Sequence, residues 1–210
     1  MKSTFPFKKL SRTGSATIIG AGAVGRQLAL QLVALSVAKL TVIDPALVDR
    51  DNATTRGYRA DDVGKPKVDC VGDVCHQTEP LLDYTGIQDA FRPAMAVGTS
   101  VFCCVDNSST RKLIWLSVER RCHFWADVRL DGEVVRVLTA DDEPGKRRFA
   151  TTLSAKTAKR RAASPHLICM AGLAASLAVY QFTRFLRGLP LHYDVTFDPV
   201  AGRYEIARDE

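Results

Sequence analysis

The stretch Ala16–Asp44, reading ATIIGAGAVGRQLALQLVALSVAKLTVID, constrains the fold of this chain more than any other. An apolar run ends in Gly20-Ala21-Gly22-Ala23-Val24-Gly25 and opens directly onto a helix-patterned segment. A second apolar run then closes on Asp44. Strand, glycine turn, helix and strand make a single βαβ unit. Gly20 allows a tight turn, Gly22 lets backbone N–H groups approach a phosphate, and Gly25 lets the helix pack close on the strand. The N–H groups at the helix start attract an anion, and Asp44 can accept ribose hydroxyls. A GxGxxG sequence in isolation is a weak signal; in this complete context it predicts a nucleotide site. The motif leaves open whether the nucleotide is a redox cofactor or a substrate.

The rest of the chain continues the alternation of strands and helices. The helix over about 23–36 has a wide apolar face made of Val24, Leu28, Leu30, Leu32, Val33 and Leu35. Residues 45–64 are mostly polar and read as a long functional loop. Gly64-Lys65-Pro66-Lys67 opens another helix, with Pro66 suited to a first turn. Residues 80–93 carry no clear pattern, and 95–105 (MAVGTSVFCCV) predict a buried strand ending at Asp106-Asn107. Either of those two caps a helix over Ser108–Arg121. Strands at His123–Arg129 and Glu133–Ala140 flank the hairpin signal Leu130-Asp131-Gly132. Ser164-Pro165 starts an apolar helix that Gly188 and Pro190 stop, and 191–207 alternate as a second hairpin. The expected fold is α/β: Rossmann-like and doubly wound, its sheet mainly parallel with antiparallel strands at one edge. One domain spans 1–210, divided into a nucleotide-binding core (1–140), a basic mobile linker (141–163) and a C-terminal helix and hairpin (164–210).

Composition narrows the partners. The chain of 210 residues carries a net charge of +6, and part of the excess lies at Lys146, Arg147, Arg148, Lys156, Lys159, Arg160 and Arg161. Aromatics are not interleaved there apart from Phe149, so a solvated basic linker is expected rather than a nucleic-acid surface. The first fifteen residues lack an apolar signal core, which points to the cytoplasm. The helix after Ser164 has a clean apolar stretch shorter than the ~20 residues of a membrane span, so it reads as a core helix. The cysteines at 70, 75, 103, 104, 122 and 169 form no zinc-ligand spacing and read as small buried hydrophobes.

Three further features fall at strand ends, where such a sheet binds ligands. Asp106 is a carboxylate placed to hold Mg²⁺ against phosphates. Lys67 sits at a helix start, where a cation opposes the helix dipole and needs an anionic partner such as a triphosphate. Arg56 and Arg59, in the loop after Asp44, can clamp phosphates.

With these residues in view, the chain resembles the ubiquitin-activating-enzyme-like ThiF/MoeB/HesA adenylyltransferases. The resemblance rests on GAGAVG at 20–25, VIDPALVDRDN at 42–52, DVGKPK at 62–67 and VDNSSTR at 105–111. FWADVRLDGEVVRVLTA at 124–140 resembles the family's antiparallel portion, so nearly the whole chain is covered. The resemblance implies ATP- and Mg²⁺-dependent adenylation of the C-terminal carboxylate of a ubiquitin-like or sulfur-carrier protein ending in Gly, with pyrophosphate released. It implies that Gly20, Gly22 and Gly25 cradle the nucleotide, Asp44 holds the ribose, and Asn52 and Lys67 reach phosphates. It further implies that Asp106 binds Mg²⁺, with Asn107 and Arg111 completing its motif, and that the protein forms a homodimer or heterodimer.

The chain also departs from the family pattern. Asn52 is followed by Ala53-Thr54-Thr55-Arg56, which puts Thr55 where the family has arginine and Arg56 where it has glutamine. Arg56 is the candidate substitute and is assigned to catalysis with Lys67 and Asp106. Ala46 replaces an acidic residue, and Arg12 is the remnant of an N-terminal arginine lent to a partner. No cysteine is assigned a thioester role; Cys169, at the apolar start of a helix, is read as buried. Two other readings compete: a non-catalytic nucleotide-binding scaffold or heterodimer half, and an NAD-dependent oxidoreductase using Asp44.

Overall fold

The computed structural model describes residues 14–154 and 167–207. The basic N-terminal arm with Arg12, the second half of the expected linker and the Ser164-Pro165 helix start lie outside the described residues. A single eight-stranded sheet runs through the molecule in the order β3-β2-β1-β4-β5-β6-β7-β8. Strands β1 (Ser15–Ile19), β2 (Lys39–Ile43), β3 (Asp83–Ile87), β4 (Ser100–Cys103) and β5 (Phe124–Asp131) are parallel. Strands β6 (Val134–Ala140), β7 (Asp194–Asp198) and β8 (Arg203–Ile206) continue the sheet antiparallel to one edge. The Rossmann-like fold class expected from the sequence is therefore the observed one.

Alternation along the strands splits the core in two. Ile18, Val42, Phe102, Phe124, Ala126 and Val128 face helices α1 (Ala23–Ala34), α3 (Lys67–Thr78) and α6 (Leu167–Leu186). Ile19, Ile43, Val101, Cys103 and Trp125 face α4 (Ser108–Val118) and α5 (Glu143–Thr151) on the other side. Side chains alternate at every residue because the pleat has a period of two, so each strand feeds both layers. Helix α6 is long and apolar enough by composition to cross a membrane. Here its Ala171, Ala174, Ala175 and Ala178 are fully buried, and their small side chains let it approach α1 and the sheet closely.

Four sequence expectations are corrected. The polar stretch 45–64 is not all loop: it contains the short helix α2 (Arg50–Thr55) and a 3₁₀ turn at Ala60–Asp62. The patternless stretch after Pro80 contains the edge strand β3, whose exposed and half-buried positions leave no apolar signature. Only Ser100–Cys103 of the expected 95–105 strand is extended. The first half of the expected basic linker is α5 followed by a 3₁₀ turn at Thr152–Ser154. Asp142 caps α5 by accepting from the Gly145 N–H at 2.7 Å, and Phe149 is buried in edge contact with Trp115 and Trp125. One aromatic anchor on an otherwise cationic helix suffices to dock it.

Candidate active site

The chain leaves β1 at the point where its neighbours diverge, β2 on one side and β4 on the other. A crevice forms at the carboxyl ends of strands at such a switch point, and the glycine turn lies in it. Its three glycines answer to different demands. Gly20 has φ +100, and a Cβ there would stand 2.8 Å from the Cys104 carbonyl oxygen. A Cβ on Gly25 would meet the Gly20 carbonyl oxygen at 1.9 Å. Among the described residues nothing lies within 4 Å of the position a Gly22 Cβ would take, so the backbone faces open space where α1 begins. That opening, with the first-turn N–H groups of α1, is the geometry of an anion cradle.

Asp44 closes the turn from the side. Its Oδ2 accepts the Ala21 N–H at 2.6 Å and its Oδ1 accepts the Ala46 N–H at 2.8 Å. Each carboxylate oxygen retains a lone pair for a ribose hydroxyl. Beneath the turn, the Tyr58 hydroxyl donates to the Ala21 carbonyl at 2.5 Å. Burial, then the nearby Asp44 charge, pushes the Tyr58 phenol well above its ordinary range, so it keeps its proton and serves as a fixed donor. The sequence pattern did not single out Tyr58 as a support of the turn; a lone aromatic in a polar loop was its only signal.

Lys67 is brought to the same end by a strap invisible in the sequence. Ala46 accepts the Lys67 N–H at 3.0 Å, Lys65 accepts the Val48 N–H at 2.8 Å, and Val48 accepts the Gly64 N–H at 2.8 Å. These bonds hold the start of α3 against the segment that follows Asp44. Lys67 is only 6% exposed, and its ammonium has no hydrogen-bond or ion-pair partner among the described residues. Arg56 is half-buried just beyond α2, likewise without such a partner among the described residues. Asn52 lies on α2, and its side chain is outside what the structure describes.

The loop after β4 completes the ring. The Cys104 N–H donates to the Ile19 carbonyl at 2.8 Å, so this loop packs directly on the glycine turn. Asp106 and Asn107 are exposed on it. Asn107, rather than Asp106, caps α4: its Oδ1 accepts the N–H groups of Ser109 and Thr110 at 2.9 and 3.0 Å. Mg²⁺ is characteristically held by one or two carboxylates together with substrate phosphates. One exposed carboxylate beside an open phosphate cradle fits that donor set. Among the described residues no group of three His, Cys, Asp or Glu is arranged to hold a metal without such help.

Arg111 does not reach into the crevice. It is buried, its Nε donates to Asp127 Oδ1 at 2.7 Å and its Nη2 donates to the Val105 carbonyl at 2.6 Å. Arg111 thus braces the loop that presents Asp106. Cysteine placement also differs from expectation. Cys70, Cys75, Cys103 and Cys122 are buried, but Cys169 is exposed on α6, because it lies off the face that buries Met170, Ala171 and Ala174. Burial pushes the Cys122 thiol up to about 11, which leaves it a poor nucleophile at neutral pH.

Fold and turn together define a Rossmann-like α/β domain with an open glycine turn at its switch point. The chain belongs to the ThiF family, whose model matches residues 6–208. No curated protein sequence matches it. In fold it is similar to PaaA, with a TM-score of 0.74 at 17% identity over 95% of this chain and 73% of that one. It is also similar to E. coli MccB in complex with MccA, with a TM-score of 0.74 at 12% identity over 97% of this chain. E. coli MccB with ATP gives a TM-score of 0.72 at 14% identity. The chain spans 66% of the length of MccB.

Proposed function

We propose that this protein adenylates a carboxylate: it binds Mg·ATP, transfers AMP to the C-terminal carboxylate of a protein or peptide partner, and releases pyrophosphate. The observation that carries this reading is Lys67, a side chain only 6% exposed at a helix start, whose ammonium has no partner among the described residues. A cation there is disfavoured by both burial and the helix dipole, and a polyphosphate relieves both. The membership in the ThiF family and the similarity to MccB, solved with ATP and with MccA, support the same class of chemistry.

The residues divide the work by position. The α1 N-terminus and Gly22 receive phosphate oxygens, and Asp44 receives the ribose. Lys67 and Arg56, the latter just beyond α2, neutralise charge on the phosphate chain, and Asn52 of α2 reaches a phosphate. Asp106 would hold Mg²⁺, which when bound supplies further neutralisation of the polyphosphate. A carboxylate oxygen of the acceptor attacks the α-phosphorus, an acyl–phosphate bond forms, and the bond to the bridging oxygen of pyrophosphate breaks. The acceptor is already ionised at neutral pH, so no general base is required; rate comes from alignment and fixed cations. The acceptor class that the family resemblance favours is a ubiquitin-like or sulfur-carrier protein ending in Gly, bound by a dimer of this chain or a heterodimer containing it.

Calorimetry separates this reading from the oxidoreductase alternative. Mg·ATP binds the full-length protein and NAD does not; Asp106→Ala removes the Mg²⁺ dependence of ATP binding while leaving the melting temperature unchanged. Tight NAD binding without Mg·ATP binding would overturn the assignment.

A further inference from the structure

Lys67 is not the sole buried cation beside the turn. Arg26, in the first turn of α1 and immediately after Gly25, is 8% exposed. Its Nε is sealed from solvent and has no hydrogen-bond partner, and among the described residues its guanidinium forms no ion pair. Its neighbours explain its position without satisfying it. The guanidinium carbon lies 5.4 Å from the centroid of the Tyr58 ring, and Tyr58 in turn holds the Ala21 carbonyl of the glycine turn. Nη1 lies 3.3 Å from where a Cβ on Gly57 would stand, and Gly57 adopts φ +79. A side chain at residue 57 would be strained and would press on the guanidinium. Glycine leaves that space to Arg26.

A guanidinium taken out of water regains its solvation free energy only by pairing with an anion. A cation–π contact with one tyrosine returns a fraction of it. Helical side chains lean toward the N-terminus of their own helix, and Arg26 stands in the first turn of α1, one residue past the glycine turn that carries the anion-attracting N–H groups. We propose that Arg26 is a phosphate-binding residue, which meets an oxygen of the polyphosphate chain when nucleotide occupies the crevice. Arginine suits this task because its planar fork presents several donors in fixed directions. The buried, unpartnered Nε beside the Tyr58 ring is a donor that such an oxygen would satisfy. This assignment rests on the ATP-binding reading given above and extends it to a residue outside the sequence motifs that suggested it.

The test compares ligands with and without the phosphate chain on the full-length protein. Arg26→Gln weakens Mg·ATP binding about tenfold or more in calorimetry while adenosine binding changes by less than about twofold. Equal loss for both ligands, or loss for neither, would show Arg26 to be a structural brace and overturn the proposal. Should Arg26→Gln melt too low to assay, Arg26→Lys carries the same comparison, because it keeps charge and stem but loses the fork. Weaker ATP binding with adenosine unchanged supports the proposal; wild-type binding of both overturns it. Inorganic tripolyphosphate separates the two readings. If it raises the melting temperature of the wild type and not of Arg26→Gln while ATP itself fails to bind, Arg26 stands and the nucleotide assignment falls. If ATP binds the wild type and Arg26→Gln equally, the nucleotide assignment stands and the Arg26 proposal falls.

Discussion

Two carboxylates at opposite ends of the sheet show how placement decides what a charge meets. Asp44 accepts two backbone N–H groups at the crevice, so its charge is matched before any ligand arrives. Asp141 follows β6 at the far end, where burial and then the neighbouring Asp142 raise its carboxyl above the ordinary range. Its raised folded-state value means that its stability contribution is present below the ordinary carboxylate range and is lost as pH rises through the raised value. Asp141→Asn, which mimics the protonated acid, therefore raises the melting temperature at pH 7 and leaves it unchanged below about pH 3. A difference that is the same at both pH values would contradict this. At this scale the sequence was most legible where backbone geometry dictates the residue. Gly20 and Gly25 were readable because the turn and the packing admit no side chain, and Gly22 because its backbone is left open where α1 begins. Arg26 and Tyr58 were not readable, because nothing in sequence spacing places residues 26 and 58 together under the same turn.

Individual elements are tied to the crevice by a buried ionic triad. Asp127 on β5 is wholly buried and accepts from Arg111 of α4 at 2.7 Å and from Arg129 at 2.6 Å. Arg129 also donates to Thr152 Oγ1 at 3.0 Å, and Arg111 to the Val105 carbonyl. One carboxylate thus joins α4, β5, the turn after α5 and the loop bearing Asp106. Removing one member of such a group leaves buried charge unpaired, and Asp127→Ala lowers unfolding stability by about 3–5 kcal/mol in denaturant titration. A loss under about 1 kcal/mol would show the triad to be energetically idle. The sequence announced α1, α4 and α6 through periodicity and caps, and both hairpins through their turn residues. It concealed α5, where Lys146, Arg147 and Arg148 outweigh Phe149 in composition though Phe149 alone reaches the core. It concealed β3 for the opposite reason: an edge strand with little burial needs no apolar pattern.

Across the whole molecule, the parallel strands deliver the glycine turn, Asp44, Lys67 and Asp106 to one end of the sheet, and the two layers of helices leave that end open. The order of these residues along the chain made their convergence readable before the geometry was known, since strand ends in a doubly wound sheet converge whatever the intervening sequence. The strap from Ala46 to Lys67 and the brace from Arg111 to Asp127 were not readable, because both join residues distant in sequence or hidden in polar loops. In the adenylation proposed above, a triphosphate is consumed in this crevice opposite an ionised acceptor. Pyrophosphate exchange into ATP, dependent on a protein or peptide partner with a free C-terminal carboxylate, tests that claim most directly. The expected result is partner-dependent exchange in the wild type that disappears in Asp106→Ala at unchanged melting temperature. Exchange that survives this substitution would contradict the role given to Asp106. Binding of Mg·ATP with no exchange for any acceptor ending in a free carboxylate would contradict adenylation itself.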